Sequence, residues 1–116
     1  MRVAKILTMA CLAVAFCAVS GGAQNVSRES WIQQFTLAFP VYVCKQYRSI
    51  YVDKYNSTPL KCEKLLSMTT NACIEVIKAD IPDPMHQPDN GKNVGTVVGN
   101  CAGELYDRAM QYRSKG

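Results

Sequence analysis

The chain has 116 residues, of which 48% are hydrophobic, and its 13 basic and 9 acidic side chains give a net charge of +4. This length suits one small domain, and the sequence contains no dense stripe of lysine and arginine of the kind that binds nucleic acid. A single histidine among the 116 residues leaves few of the usual catalytic or metal-binding combinations open.

Residues 1–23 are typical of a secretory signal peptide. Arg2 and Lys5 form a positive start, and an apolar run follows. Gly21-Gly22-Ala23 is the preferred small-residue cleavage site, and Ala18-Val19-Ser20 is a second choice. The apolar run is too short for a stable membrane span. Cleavage after Ala23 leaves residues 24–116 with a net charge of +2. We therefore expect a periplasmic protein without a membrane anchor, or an extracellular protein if the source is eukaryotic.

Cysteines are the next feature, because four of them remain after cleavage: Cys44, Cys62, Cys73 and Cys101. An even count in a small exported domain predicts two disulfide bonds. No pair has the CxxC spacing of a zinc site, so we expect neither a metal nor another cofactor.

The first predicted element is a helix that begins at Ser27 or Ser30, either of which can cap it. Its apolar residues recur at helical spacing and predict a core face: Trp31, Phe35, Ala38, Phe39, Tyr42, Val43, Tyr47 and Ile50. Pro40 should kink this helix or split it near Phe39. Trp31 and Tyr51 are candidates for exposed aromatic anchors that contact a partner.

The second predicted element, a helix from Thr58 to Asp80, is the expected spine of the fold. Thr58 can cap its start, and Pro59 fits the first helical position. Cys62 and Cys73 lie on one face but roughly 16 Å apart along the axis. A disulfide spans only about 4.4–6.8 Å between Cα atoms, so each cysteine must bond to a different neighbouring element.

Residues 81–91 contain three prolines and the pair Asn90-Gly91, which predict an irregular, stiff loop. Such a loop is either a plain connector or a recognition loop. Under the second interpretation its side chains bind a partner: Asp83, Met85, His86, Gln87, Asp89 and Asn90.

The last predicted element is a helix from about Asn93 to Tyr112. Gly95, Gly99 and Gly103 recur every four residues and form a glycine ridge. Glycine disfavours helix by about 0.5–1 kcal/mol relative to alanine, so the ridge predicts a close approach of another backbone. That contact is either within the domain or a self-association face of a homodimer. A strand over Val94–Val98 is an alternative.

Together these elements predict an all-α fold, a small bundle of three to four helices stapled by two disulfides, in one domain over residues 24–116. Antiparallel neighbours lie at equal distances from their connecting loop, which favours Cys44–Cys62 with Cys73–Cys101. The competing set, Cys44–Cys73 with Cys62–Cys101, places Cys62 far from its partner.

No catalytic set is evident in the sequence. One histidine in a proline-rich segment gives little support for a serine or cysteine triad, and no phosphate loop or dinucleotide motif is present. We therefore predict a binding protein rather than an enzyme.

The signal peptide is followed by Trp-Ile-Gln-Gln-Phe at 31–35, by Ala-Phe-Pro-Val-Tyr-Val-Cys at 38–44 and by Gly-Thr-Val-Val-Gly-Asn-Cys-Ala-Gly-Glu-Leu-Tyr at 95–106. With its four-cysteine helical body, the chain resembles small periplasmic immunity proteins against type VI secretion effectors that cut peptidoglycan. The resemblance implies a helical, often dimeric inhibitor that blocks the active-site cleft of a cognate peptidoglycan hydrolase.

Two other interpretations stay open. One is a secreted helical carrier of a small apolar ligand. The other is a secreted extracellular effector, for which use of the Asn56-Ser57-Thr58 glycosylation pattern would be a sign.

Overall fold

The computed structural model describes residues 24–115, so the predicted signal peptide lies outside the described residues. Three long helices and one short helix make up most of this region, and two three-residue strands form a small sheet. The elements in chain order are β1 (Gln24–Val26), α1 (Arg28–Gln46), α2 (Arg48–Tyr51), α3 (Pro59–Ile77), β2 (Met85–Gln87) and α4 (Asp89–Lys115). The predicted all-α bundle with two disulfides is confirmed.

Helix α1 begins where a predicted cap lies, because the Ser27 hydroxyl accepts a hydrogen bond from the Ser30 amide at 3.1 Å. The expectation of a split near Phe39 is wrong, since α1 is one helix over Arg28–Gln46 with Pro40 inside it. Proline removes one helical hydrogen bond. Burial of Phe39, Pro40 and Val43 in the core holds the turn in place despite that loss.

Helix α3 has the predicted start, with the Thr58 hydroxyl accepting a hydrogen bond from the Lys61 amide at 3.2 Å and Pro59 in the first position. It ends at Ile77, and a 3₁₀ turn over Lys78–Asp80 leads into the extended Ile81. One face of α3 is buried, including Leu65, Leu66 and Ile74, and the helix packs against both α1 and α4. The prediction that this helix is the spine of the fold is therefore confirmed.

Helix α4 begins at Asp89 rather than near Asn93, so Asn90-Gly91 lies in its first turn and not in a loop. The Lys92 amide donates to the Pro88 carbonyl at 3.0 Å, which starts the helical ladder. The alternative of a strand over Val94–Val98 is wrong. The helix forms there because Val94 and Val98 face the same core, with Val98 fully buried.

Both predicted disulfides are present. Cys44–Cys62 joins α1 to α3, and Cys73–Cys101 joins α3 to α4, each with a Cα–Cα distance of 6.0 Å. The competing pairing is wrong. The α1–α3 connection brings Cys44 next to Cys62, and the α3–α4 connection brings Cys73 next to Cys101. Two helical hairpins that share α3 are thereby closed covalently.

The core between α1 and α4 is aromatic. Trp31, Phe35 and Phe39 form a stacked row on α1, with centroids 4.7 Å apart at both steps. All three are buried, so Trp31 is not the exposed anchor that the sequence suggested. Tyr51 is half-buried and packs on Tyr106, with ring centroids 5.0 Å apart.

The glycine ridge of α4 lies against these rings and not against another backbone, which corrects the sequence-based expectation. A Cβ at Gly95 would lie 3.4 Å from the Phe35 ring, and one at Gly99 would lie 3.4 Å from the Phe39 ring. At Gly103 it would come within 2.7 Å of the Tyr51 hydroxyl. Self-association through this ridge stays a prediction.

These distances give different expectations for two substitutions at one site. Gly99→Ala adds a methyl group at ordinary contact distance and improves helix propensity, so we expect stability unchanged or raised by up to about 1 kcal/mol. Gly99→Leu must displace the Phe39 ring and should lower stability by about 1–3 kcal/mol. Thermal melts of both variants check this, and equal melting temperatures would show that the ridge is not a close contact.

Some residues of the predicted apolar faces are exposed. Tyr47 and Ile50 lie beyond the end of α1, and Val76 lies near the end of α3, where no neighbouring element covers it. None of the helices in the part of the chain that the structure describes is long and apolar enough to cross a membrane. Within the same residues no cluster of three or more metal-ligating side chains occurs.

Candidate partner-binding groove at the tip of the first hairpin

The predicted recognition loop over residues 82–91 is a folded part of the structure. Met85, His86 and Gln87 form strand β2, which pairs antiparallel with β1 in the register Gln24 to Gln87, Asn25 to His86 and Val26 to Met85. Met85 is fully buried and Gln87 is 3% exposed. The expectation of a stiff, presented loop is therefore wrong for the side chains of these two residues, and partner binding by the rest of the segment stays a prediction.

The side chains of Asp83, Gln87 and Asn90 accept hydrogen bonds from nearby backbone amides. The Asn90 side-chain oxygen accepts from the His86 amide at 2.7 Å, and the Gln87 side-chain oxygen accepts from the Gly91 amide at 3.1 Å. Asp83 accepts from the Arg28 amide at 3.2 Å and lies 3.8 Å from its guanidinium. Of the six side chains predicted to bind a partner, all of them in the described part of the chain, only those of His86 and Asp89 are exposed and form no such hydrogen bond.

The burial of Met85 and the exposure of His86 predict different effects of alanine substitutions on stability at these two neighbouring positions. Met85→Ala leaves a cavity in the core and should lower the free energy of unfolding by about 2–5 kcal/mol. His86→Ala, one residue along and exposed, should change it by less than about 0.5 kcal/mol. Denaturant titration of both variants tests the pair, and equal effects would mean that β2 does not pack as described.

A groove of about 380 Å³ lies instead at the tip of the α1–α3 hairpin. We call it the hairpin groove, and its lining residues are Val41, Cys44, Lys45, Arg48, Pro59 and Glu63. Val41 and Lys45 are one helical turn apart on α1, and Pro59 and Glu63 are one turn apart on α3. The Cys44–Cys62 bond holds the two walls together, so the groove does not depend on side-chain packing alone.

Exposed apolar side chains also occur on both helices close in sequence to residues that line the hairpin groove. Leu37, one turn before Val41, is 71% exposed, and Val41 is 49% exposed. Leu60, one turn before Glu63 and Lys64, is 70% exposed. Exposed apolar side chains near a concave site are typical of surfaces that bind another protein.

Charged groups of both signs border these apolar residues. Arg48 pairs with Asp53 through its Nε at 3.3 Å, and both side chains are more than half exposed. Lys45 and Glu63 form no ion pair with any residue in the described range 24–115. Exposed pairs such as Arg48–Asp53 contribute little to stability, so these charges are available to a partner.

A tyrosine cluster of Tyr51, Tyr55 and Tyr106 joins the connection between α1 and α3, at the tip of the hairpin, to α4. The Tyr106 hydroxyl donates to the Tyr51 carbonyl at 2.5 Å, and the Tyr55 hydroxyl donates to the Asp107 carboxylate. Partial burial, the hydrogen bond and the Asp107 charge raise the pKa of Tyr55 to about 12. The phenol therefore stays a protonated donor at physiological pH, and the tip keeps its position relative to the body.

The groove was missed by the sequence analysis, although one signal for it exists. Leu37 and Val41 are four residues apart and lie off the row of Trp31, Phe35 and Phe39. A second apolar row on one helix indicates a second contact, and no element of the described chain covers that row.

By fold, then, the protein is a small all-α domain closed by two disulfides. A protein-family model described as NttA, a T2SS substrate, matches residues 25–114, and the chain therefore belongs to this family. Substrates of the type II secretion system (T2SS) are exported, which agrees with the predicted export. No curated protein and no solved structure matched the chain.

The family match overturns the functional resemblance drawn from the sequence. The protein is not a type VI secretion immunity protein. The predicted inhibition of a peptidoglycan hydrolase, which depended on that resemblance, is therefore wrong as well. The quoted segments misled because aromatic, cysteine and glycine residues at these spacings reflect helix packing, which unrelated small helical proteins share. The carrier interpretation has no support either.

Proposed function

We propose that the protein is a secreted binding protein that acts outside the producing cell, without catalysis, by holding a partner protein in the hairpin groove. The periplasm is then the compartment where its disulfides form and not its final location. The observation that carries the proposal is a groove with covalently joined walls, lined by the exposed Val41 and near the exposed Leu37 of α1 and Leu60 of α3.

Three features of the site support binding at this place. The groove is concave, it is lined by the apolar Val41 and Pro59 as well as by charged side chains, and those charged side chains are not committed to strong internal pairs. The disulfide and the tyrosine cluster hold the groove in one shape before any partner arrives. Such preorganisation lowers the entropy that is lost on association.

The proposal is tested by site-specific photo-crosslinking. A photoreactive amino acid replaces Leu37 in the secreted protein, and a matched variant carries it at Val97, which is 52% exposed on α4. We expect a saturable adduct with an extracellular protein from position 37 and not from position 97. Excess wild-type protein should suppress the adduct, and excess Val41→Asp protein should not.

A result of the opposite kind would overturn the proposal. Adducts from position 97 with none from position 37 would place the binding surface on α4. Equal competition by wild-type and Val41→Asp protein would show that the hairpin groove is not the contact.

A further inference from the structure

We infer that the partner presents an acidic, amphipathic helical segment to the hairpin groove. The inference rests on the proposed function for the location of the site and adds the chemistry of what binds there. It follows from the distribution of charge over the described fold, from the size of the groove and from the apolar residues Val41 and Pro59 in its lining.

Charge in the mature chain is concentrated at the hairpin tip. Residues 41–64 contain five basic side chains and two acidic ones, a net charge of +3. The remaining mature residues, 24–40 and 65–116, contain six basic and seven acidic side chains, a net charge of −1. A chain that is nearly neutral as a whole therefore has a positive end, and that end contains the groove.

Three of the tip lysines have no internal partner. Arg48 pairs with Asp53, and Lys54 lies 3.9 Å from Asp107. Lys45, Lys61 and Lys64 are all exposed and form no ion pair with any of the residues described. Glu63 is the one unpaired carboxylate among the described residues of the tip. An incoming segment with excess negative charge is therefore attracted, and one with excess positive charge is repelled.

The size of the groove favours side chains of a protein segment over a free small molecule. Its volume of about 380 Å³ is near the lower limit for ligand clefts, which run from about 300 to 1,000 Å³. It lies between two antiparallel helices, with Val41 on one side and Pro59 on the other. A helix laid between them can place apolar residues at i, i+3 and i+4 in the groove and carboxylates toward Lys45 and Arg48, which line it.

An anionic membrane surface is the competing occupant for a positively charged tip. A concave site between two helices fits that interaction poorly, because membrane-binding helices insert a convex apolar face. The partner helix is therefore the occupant we propose, and anionic vesicles serve as the competing probe in the test.

The test uses three synthetic peptides and the complete mature protein labelled with nitrogen-15. One peptide has a helical leucine stripe with glutamates elsewhere, the second has lysines in place of the glutamates, and the third has the first composition scrambled to remove the stripe. We expect the glutamate peptide alone to shift the amide resonances of Val41, Lys45 and Glu63 saturably, and more weakly in high salt.

Charge-reversal variants supply matched controls. Lys45→Glu should weaken binding of the glutamate peptide by about five- to tenfold, the size expected when one exposed attraction becomes a repulsion. Lys92→Glu makes the same charge change on an exposed residue of α4, and it should leave the affinity within about twofold of the wild type. Lys92 forms no ion pair among the described residues.

Other outcomes overturn the inference. Equal binding of the glutamate and lysine peptides, or equal effects of the two charge reversals, would show that charge does not select the partner. Resonance shifts confined to α4 would place the site elsewhere. Tighter binding to phosphatidylserine vesicles than to any peptide would make a membrane the occupant. If position 37 still yields its saturable adduct in those cases, the binding function stands and only the partner chemistry is wrong. If the adduct is missing while the glutamate peptide binds selectively, the proposed function fails and the groove chemistry stands.

Discussion

Removal of the two disulfides should unfold much of the protein at room temperature. The cysteines of the two bonds are 18 and 28 residues apart in sequence. In the chain-entropy model, closing loops of this size stabilises the native state by about 3 kcal/mol each. The two together are comparable with the whole stability of a small domain, about 5–15 kcal/mol.

Paired substitutions separate the two contributions. Cys44→Ala with Cys62→Ala, or Cys73→Ala with Cys101→Ala, should each lower the melting temperature by roughly 12–24 °C. Differential scanning calorimetry of the two variants and of the unmodified protein checks this. A fully reduced protein that melts within a few degrees of the oxidised one would contradict the view that the disulfides secure the hairpins.

The second large effect is expected at Phe35. Its ring is 4% exposed, is stacked between Trp31 and Phe39, and lies against Gly95 of α4. Phe35→Ala opens a cavity at the contact between the first and last helices and should reduce stability by about 3–5 kcal/mol. Urea unfolding followed by circular dichroism measures the loss.

Leu37 provides the control for that substitution, because it lies two residues away on the same helix and is 71% exposed. Leu37→Ala should change stability by less than about 0.5 kcal/mol while it weakens partner binding. Comparable destabilisation by the two variants would mean that Leu37 is part of the core and not of the groove.

The parts of the structure that could be predicted from the sequence are those with local or geometric causes. Ser27 and Thr58 cap their helices through bonds to residues three positions away, so both starts could be predicted from the chain itself. The pairing of Cys73 with Cys101 follows from the symmetry of an antiparallel hairpin about its connection. Such features need no knowledge of distant segments.

The segment over Met85–Gln87 could not be predicted in that way. Its prolines and the pair Asn90-Gly91 indicate a loop, yet the strand forms because Val26, about sixty residues earlier, supplies the pairing partner. A three-residue strand has almost no sequence signature of its own, and its register depends on that long-range contact. Burial of Met85 then removes it from any binding surface.

The hairpin groove could not be predicted from the sequence for a different reason. Helical spacing identifies the apolar rows of α1, but it does not say which row another element will cover. The row of Phe35 faces α4, whereas the row of Leu37 and Val41 has no covering element in residues 24–115. Only the packing of all the helices together distinguishes a core face from a binding face.

Hydrogen–deuterium exchange of the secreted protein with its crosslinked partner is the most direct test of whether the hairpin groove is the binding site, because it compares every surface in one experiment. With the partner bound, we expect added protection in residues 37–48 of α1 and its C-terminal end and in residues 59–64 of α3, which contain all the residues that line the hairpin groove. Residues 85–98, which include β2 and the start of α4, should exchange as in the free protein. Protection confined to residues 85–98, with no change in residues 37–48 and 59–64, would show that the partner does not bind in the hairpin groove.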